Sequence, residues 1–188
     1  MLRPTREDLL AAAGGAVPDV IAPDLRVLFC GINPSLYTAA VGRHFARPGN
    51  RFWRALDEAG FTDRRLAPSE DRRLLDVGLG ITNLVARATA AAADLSDEEL
   101  AEGARELARK VRRCRPGYLA VLGITAYRVA FGHPRAEVGP QAETIGSTPI
   151  WVLPNPSGIN AHYPPKKLAQ EFHTLRTAAF PEGAGQQG

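Results

Sequence analysis

Two asparagine–proline dipeptides, Asn33-Pro34 and Asn155-Pro156, each follow an apolar run that predicts a buried strand. A carboxamide both donates and accepts hydrogen bonds, so it could recognise the amide-like edge of a pyrimidine or hold a water molecule, but it cannot act as a strong base. Asn-Pro also starts ordinary turns, and each dipeptide alone fits that interpretation. As a pair at strand ends, which a parallel sheet brings together, the two dipeptides indicate a site.

A basic segment rich in aromatic residues follows the first dipeptide. Residues 43–54 contain no acid but hold one histidine, three aromatic residues and four arginines, Arg43, Arg47, Arg51 and Arg54. The segment fits either a solvated basic face or a nucleic-acid contact, in which cations neutralise phosphates and an aromatic ring stacks on a base. Phe45 lies in a predicted loop and is the candidate for stacking, whereas Phe52 and Trp53 fall on a predicted helix and are expected in the core.

Other kinds of chemistry are disfavoured. The two cysteines are far apart, and His44, His133, His162 and His173 do not fall at metal-ligand spacings, so we expect no metal site and no disulfide. The sequence lacks both a Walker loop and a GxGxxG motif after the first strand, so we expect no nucleotide cofactor. A serine nucleophile at Ser35 or Ser157 is also disfavoured, because neither lies in a GxSxG motif.

The order of the predicted elements indicates an α/β fold. Strands that alternate with helices predict a three-layer αβα sandwich with a mostly parallel central sheet. Residues 81–85 fit either a short strand or a loop. Helices are predicted over 5–14, 50–61, 96–116, 124–131 and 164–180, a short helix followed by a turn over 70–80, strands over 26–32 and 117–123, and a strand–turn–strand unit over 143–154.

Length and composition predict one globular domain. The chain has 188 residues, 45% of them hydrophobic, and a formal net charge of +3 that hints weakly at an anionic partner. We expect an N-terminal extension over 1–17, one domain over 18–180 and a flexible tail over 181–188. No apolar run is long enough to span a bilayer and no signal peptide is recognisable, so we expect a cytoplasmic monomer with no membrane partner.

Three motifs in order carry a resemblance to a known family: GINPS…HFARPGNRFW, GITNLVARAT and WVLPNPSGI. They resemble the mismatch-specific uracil/thymine-DNA glycosylases, a branch of the uracil-DNA glycosylase superfamily that includes bacterial double-strand uracil glycosylases and animal thymine-DNA glycosylases. The similarity runs from about Val20 to Leu175. One position departs from the family pattern, because the last glycine of its GINPG motif is Ser35 in this sequence.

The resemblance implies roles for residues in the first two motifs. Asn33 would position the water that attacks the sugar C1′. Phe45 would stack on the flipped base, and Asn83 would recognise the edge of that base. Ile32 and Ser35 would also contact the base, and the hydroxymethyl group of Ser35 could narrow the pocket or add a hydrogen bond.

The third motif would enter the minor groove of DNA. Its tip, Ile159, would fill the gap left by the flipped base, while Ser157, Gly158 and Asn160 would lie beside the opposite guanine. Phosphate contacts are expected from Arg47, Arg51, Lys166 and Lys167.

The resemblance therefore implies a monofunctional glycosylase of base excision repair. It would flip and excise uracil, and thymine or ethenocytosine, mispaired with guanine in double-stranded DNA, and would leave an abasic site without a cofactor. Such a protein would lie on the nucleoid through its DNA binding. Two alternatives stay open: a broad uracil-DNA glycosylase that also acts on single strands, and a non-catalytic protein that binds mismatches or abasic sites.

Overall fold

A computed structural model of the chain describes residues 3–181, and it contains a five-stranded sheet with the strand order β2-β1-β3-β5-β4. The first four strands in that order pair in parallel, and β4 pairs antiparallel with β5 at the edge. The strands are β1 (Val27–Gly31), β2 (Leu79–Asn83), β3 (Tyr118–Leu122), β4 (Gly139–Ile145) and β5 (Thr148–Leu153). This topology confirms the predicted mostly parallel sheet.

Six α-helices and two 3₁₀ segments connect the strands within residues 3–181. Thr5 with Asp8, and Ser96 with Glu99, form the capping boxes that were predicted for the first and the longest helix. The helices are α1 (Arg6–Ala11), α2 (Leu36–Val41), α3 (Phe52–Glu58), α4 (Asp97–Cys114), α5 (Ile124–Ala130) and α6 (Pro165–Ala179), and the 3₁₀ segments are Pro68–Val77 and Ala92–Asp94.

Three elements differ from the sequence prediction. The helix predicted over 70–80 is the 3₁₀ segment Pro68–Val77, which ends at Gly78 with a left-handed φ of +73°, so β2 can begin at Leu79. Helix α2 was not predicted, because its six residues carry neither a capping box nor an acid in the first turn, the signals that mark the equally short α1. Strand β4 begins at Gly139, four residues before the predicted start of the strand–turn–strand unit.

The two faces of the sheet carry separate hydrophobic clusters, which confirms the three-layer arrangement. Helices α3 and α6 cover one face with an aromatic cluster in which Phe29 packs against Phe52, Phe61 and Phe172. Helices α4 and α5 cover the other face with mainly aliphatic residues around Leu28 of β1. Burying each such large side chain stabilises the fold by about 1.5–3 kcal/mol relative to leaving it exposed.

Both cysteines are free and buried within these layers. Cys30 is fully buried in β1, and burial raises the pKa of its thiol to about 12. Phe52 and Trp53 are also buried, as the sequence analysis predicted.

The segment before β1 runs beside β2 and its continuation. The Gly14 N–H donates to the Ala88 carbonyl (3.0 Å), and the Ala88 N–H donates to the Gly15 carbonyl (2.8 Å). Val20 and Ile81 exchange two further backbone hydrogen bonds. Residues 14–20 therefore support the chain that follows β2.

Among residues 3–181, no helix combines the length and the apolar character needed to cross a membrane.

Candidate active site

A cleft of about 240 Å³ opens where β1, β2 and β5 end, at the carboxyl edge of the sheet. Most of the predicted site residues meet there, together with both Asn-Pro dipeptides. Gly158, Asn160, Arg51, Lys166 and Lys167 lie outside its lining. The predicted residues that line it are Ile32, Asn33, Ser35, Phe45, Arg47, Asn83, Ser157 and Ile159.

The carboxamide of Asn33 has a defined orientation. Its Nδ2 atom donates to the Arg87 carbonyl (2.9 Å) and to Thr89 Oγ1 (2.7 Å). A carbonyl only accepts, so the amide nitrogen must face Arg87, and the Thr89 hydroxyl is free to accept because its own proton goes to the Ala91 carbonyl (2.6 Å). Both amide hydrogens are thereby engaged, and Oδ1 remains as a hydrogen-bond acceptor in a side chain that lines the cleft.

Backbone pairing beyond the strand ends holds these partners in place. The Leu84 and Val85 N–H groups donate to the carbonyls of Gly31 and Ile32 (2.8 and 2.9 Å), and the Thr89 N–H donates to the Pro34 carbonyl (3.2 Å). The chain after β2 therefore follows the chain after β1 up to the first Asn-Pro dipeptide.

Gly31 allows two predicted base contacts to approach each other. A Cβ atom at position 31 would lie 2.7 Å from Asn83 Oδ1 and 3.3 Å from Cζ of Phe45. Any side chain there would displace one or both. Within residues 3–181 no protein hydrogen bond engages the Asn83 carboxamide, which leaves both its donor and its acceptor available to a ligand.

Phe45 lies between the core and the cleft. Its ring stacks on Phe52 with centroids 4.1 Å apart, and it also lines the cleft. Its backbone has a φ of +52°, a conformation that costs a bulky residue about 1–3 kcal/mol and that the surrounding structure must hold.

The loop around Phe45 is fixed by buried polar contacts. Trp53 Nε1 donates to the His44 carbonyl (3.2 Å), and His44 Nε2 donates to the Pro18 carbonyl (2.9 Å). Burial lowers the pKa of His44 below its ordinary value, which favours the neutral imidazole. Arg43 forms an ion pair with the buried Asp71 (2.9 Å).

Ser35 and Ile32 also have structural roles. Ser35 is the N-cap of α2, because its Oγ accepts from the Thr38 N–H (3.2 Å). Ile32 packs beside Gly123, where a Cβ atom would lie 3.0 Å from Ile32 Cδ1. Their contacts with a base stay a prediction.

The third motif lies in a loop, residues 154–163, that contains hydrogen bonds between its own residues. We call it the wedge loop. Asn155 Oδ1 accepts from the Ser157 N–H, and Asn160 Nδ2 donates to the Asn155 carbonyl, each at 3.0 Å. Ile159 at the tip is 88% exposed, the largest exposed fraction among the large hydrophobic residues that the structure describes. Gly158 touches the neighbouring loop, because a Cβ atom there would lie 2.5 Å from the Gly49 carbonyl oxygen.

Three of the four arginines in residues 43–54 bind protein partners. Besides Arg43 with Asp71, Arg54 forms an ion pair with Glu58 (2.6 Å). Arg51 donates to backbone carbonyls of the wedge loop, so the predicted phosphate contact would require it to leave them. Among the described residues, no hydrogen bond or ion pair engages the side chain of Arg47, which is exposed at the cleft.

The two predicted phosphate-binding lysines lie beside the wedge loop, at the start of α6. Both are exposed, and the ammonium group of Lys167 lies over the Tyr163 ring, 4.4 Å from its centre. Their phosphate contacts stay a prediction.

The cleft contains no carboxylate and no lysine among its described lining residues, and its titratable side chains are His44 and Arg47. No group of three metal-ligating side chains occurs within residues 3–181. The arrangement can hold a planar polar ligand and a water molecule, but it offers no strong base.

Two supports of this site were not predicted from the sequence. Thr89 is 56 residues from Asn33 along the chain, and Gly31 is the first residue of the GINPS motif but was given no role. A signal for Gly31 was present, since a glycine at the end of a buried strand often marks a close approach of other groups.

Two comparisons with known proteins identify the fold and the family of the chain. The solution NMR structure of a candidate uracil DNA glycosylase from Methanosarcina acetivorans matches with a TM-score of 0.57 and 18% sequence identity, over 87% of this chain and 98% of that one. This likeness supports the fold. The family model of the uracil DNA glycosylase superfamily matches residues 18–177, which is most of the chain. The chain therefore belongs to the uracil DNA glycosylase superfamily.

Proposed function

We propose that this protein is a monofunctional, mismatch-directed DNA glycosylase that excises uracil, and thymine or ethenocytosine, paired with guanine in double-stranded DNA. Superfamily membership indicates a DNA glycosylase and makes DNA the substrate. The observation that supports mismatch-directed excision is the oriented Asn33 carboxamide. It lines the same cleft as Phe45 and Asn83, and the exposed Ile159 lies at the edge of this cleft.

The cleft suits a single base. Its volume of about 240 Å³ is below the roughly 300–1,000 Å³ of pockets for drug-sized ligands. The Phe45 ring would stack on the base, a contact worth about 1–3 kcal/mol. The Asn83 carboxamide would bind the pyrimidine edge, where donors and acceptors alternate.

A base within a duplex must leave the stack to reach this cleft. Flipping costs on the order of a few kcal/mol and costs least for a mispaired base, which favours mismatches. An apolar side chain inserted into the stack helps to offset that cost. Ile159 is exposed and lies beside the cleft, which fits this role.

The reaction would proceed by departure of the base followed by capture with water. The bond between C1′ and the base nitrogen breaks, and its electron pair leaves with the base. Water held by Asn33 Oδ1 forms the new bond to C1′, and its proton passes to solvent or to the departing base. Because the cleft lining has no carboxylate to serve as base, excision would depend on leaving-group ability and would favour mispaired or activated pyrimidines.

The same lining favours a monofunctional reaction. Formation of a covalent Schiff base with the sugar requires an amine, and no lysine lines the cleft among the described residues. The expected product is an abasic site in an intact strand.

An excision assay on sequence-matched substrates tests the proposal. The substrates are duplexes with G·U, G·T and A·U pairs and a single strand with uracil, under single- and multiple-turnover conditions. We expect the fastest excision from G·U, measurable excision from G·T, and slow excision from A·U and from the single strand.

The other outcomes identify the alternatives. Excision from A·U and from single-stranded uracil at the same rate as from G·U would make the protein a broad uracil-DNA glycosylase. Tight binding of G·U duplex without release of any base would make it a binding protein. Strand cleavage without added base or heat would contradict the monofunctional assignment.

A further inference from the structure

Arg51 joins the wedge loop to the loop that carries Phe45. Its Nη1 atom donates to the Tyr163 and Asn160 carbonyls (2.8 and 3.1 Å), and its Nη2 atom donates to the Gly158 carbonyl (2.6 Å). These three carbonyls lie on both sides of the exposed Ile159. The planar guanidinium presents several N–H groups in a fixed geometry, so one side chain can hold all three.

The backbone strengthens the same connection. The Arg51 N–H donates to the Pro156 carbonyl (2.8 Å). Gly158 lies directly on Gly49, so close that even a methyl group at position 158 would collide with the Gly49 carbonyl. The loop that carries Phe45 therefore contacts the wedge loop through three groups: the Arg51 guanidinium, the Arg51 N–H and the backbone of Gly49. Two of these three groups belong to Arg51.

The two ends of the wedge loop are anchored, because Pro154 and Pro156 are buried and Tyr163 packs against the core. Between them the loop has an exposed tip and is held by the Arg51 and Gly49 contacts and by hydrogen bonds among its own residues. A loop that must become ordered on binding loses affinity and rate through the entropy cost of that ordering, whereas a loop held beforehand avoids this cost. Three charged hydrogen bonds to the loop backbone are well suited to hold it in the free protein.

We propose that Arg51 is a positioning residue, which holds the wedge loop in the shape needed for base extrusion and does not serve as a phosphate contact. The inference rests on the proposed function for its catalytic consequence. The holding of the loop itself can be tested without DNA.

The first test measures hydrogen exchange of the backbone amides in residues 157–163 of the free protein. Arg51→Lys keeps the charge but loses the forked geometry, and Arg51→Ala removes both. We expect both variants to exchange at least about tenfold faster than the parent in this loop. Arg128→Lys is the matched control, because Arg128 is also half-buried and donates twice to a loop carbonyl, that of Ala136, away from the cleft. Unchanged exchange in both Arg51 variants would overturn the proposal.

The second test compares single-turnover excision from a G·U duplex with excision from single-stranded uracil, and also measures the salt dependence of duplex binding. For Arg51→Lys we expect a loss of about tenfold or more on the duplex, a smaller loss on the single strand, and a salt slope like that of the parent. Equal losses on both substrates would overturn the positioning role. For Arg51→Ala, a salt slope reduced by about 0.9 would instead identify a phosphate contact.

The two tests separate failure of this inference from failure of the proposed function. If the parent protein excises no base, the proposed function fails, while the exchange measurement still decides whether Arg51 holds the loop. If the Arg51→Ala variant does not fold, as a thermal melt would show, Arg51→Lys alone decides both the exchange and the substrate comparison.

Discussion

The orientation of the Asn33 carboxamide is set by its neighbours. The sequence identifies a carboxamide at a strand end, but its direction depends on the Arg87 carbonyl and the Thr89 hydroxyl. Because these two groups take both amide hydrogens, Oδ1 becomes the atom available to water. The proposed water-binding role of Asn33 therefore depends on two positioning residues, Arg87 and Thr89, as well as on Asn33 itself.

We expect Asn33→Ala to lower single-turnover excision by about 10²-fold or more, since the attacking water loses its position. Thr89→Val keeps the shape of the side chain but removes the hydroxyl, so the amide keeps one of its two partners. Its expected loss is smaller, on the order of tenfold. Single-turnover excision from a G·U duplex measures the loss in each of the two variants.

Duplex binding by the same two variants is the control and should change little, because neither side chain is expected to contact phosphate. Excision by Asn33→Ala at the parent rate would contradict the assignment of Asn33. Excision by Thr89→Val at the parent rate would show that the Arg87 carbonyl suffices to orient the amide.

Residue types and local position predicted part of the site. Phe45 differs from Phe52 and Trp53 because it lies in a loop, and this difference separates a residue that lines the cleft from two core residues. Thr89 and Arg51 could not be predicted in the same way. Their tasks depend on contacts 56 and more than 100 residues away along the chain, which only the folded sheet brings about.

At the scale of elements, the wedge loop gives the most direct prediction for a mutation, that of Ile159 at its tip. Ile159 is 88% exposed, so Ile159→Ala should change the free energy of unfolding by no more than about 0.5 kcal/mol. Its effect on excision should depend on the target, because unstacking costs most for a well-paired base. We expect a loss on the order of tenfold from A·U and G·T duplexes and a smaller loss from ethenocytosine, a weakly paired lesion.

Val77→Ala is the matched control, since Val77 is another exposed aliphatic residue but precedes β2 at the opposite edge of the sheet. It should excise every substrate at the parent rate. Equal losses on all substrates for Ile159→Ala would remove support for a wedge, and a large drop in its melting temperature would place Ile159 in a structural role.

Elements with complete local signals were predicted well, and those without them were not. Helix α4 has a capping box, acids in its first turn and a proline after its end, and its bounds agree with the prediction within two residues. Helix α2 is six residues long, and its N-cap, Ser35, was considered as a pocket residue or a nucleophile but not as a helix start. The 3₁₀ segment Pro68–Val77 carries a helix-like pattern, and only the folded structure distinguishes its tighter winding.

At the scale of the whole molecule, the alternation of strands and helices predicted the layers and the edge of the sheet where the site lies. The net charge of +3 predicted much less, because many of the cations pair with neighbouring acids. The positions of the cations near the cleft that form no ion pair within residues 3–181 are more informative. Arg47, Lys166 and Lys167 are all exposed; Arg47 lines the cleft, and the two lysines follow the wedge loop at the start of α6.

We expect the affinity for duplex DNA to fall steeply with salt through these three cations. Replacing any one of them with alanine should flatten the slope of log affinity against log salt concentration by about 0.9 per lost phosphate contact. Fluorescence anisotropy over a series of salt concentrations measures the slope.

Arg113→Ala provides a charge-matched control. Arg113 is exposed near the end of α4, just before β3 begins, and so lies toward the amino edge of the sheet, away from the cleft. The slope of log affinity against log salt concentration for Arg113→Ala should equal that of the parent. A salt response that is flat for the parent protein would contradict a phosphate-binding surface.

The burial of both cysteines makes the protein convenient for spectroscopy. At neutral pH the Cys30 thiol carries almost no thiolate, the form that reacts with maleimides, and Cys114 is buried at the end of α4. A cysteine introduced by I159C would then be the preferred point of attachment for a fluorophore in an otherwise native chain. Its emission would follow the insertion of the loop tip into DNA in real time, and the rate of that event could be compared directly with the rate of base release.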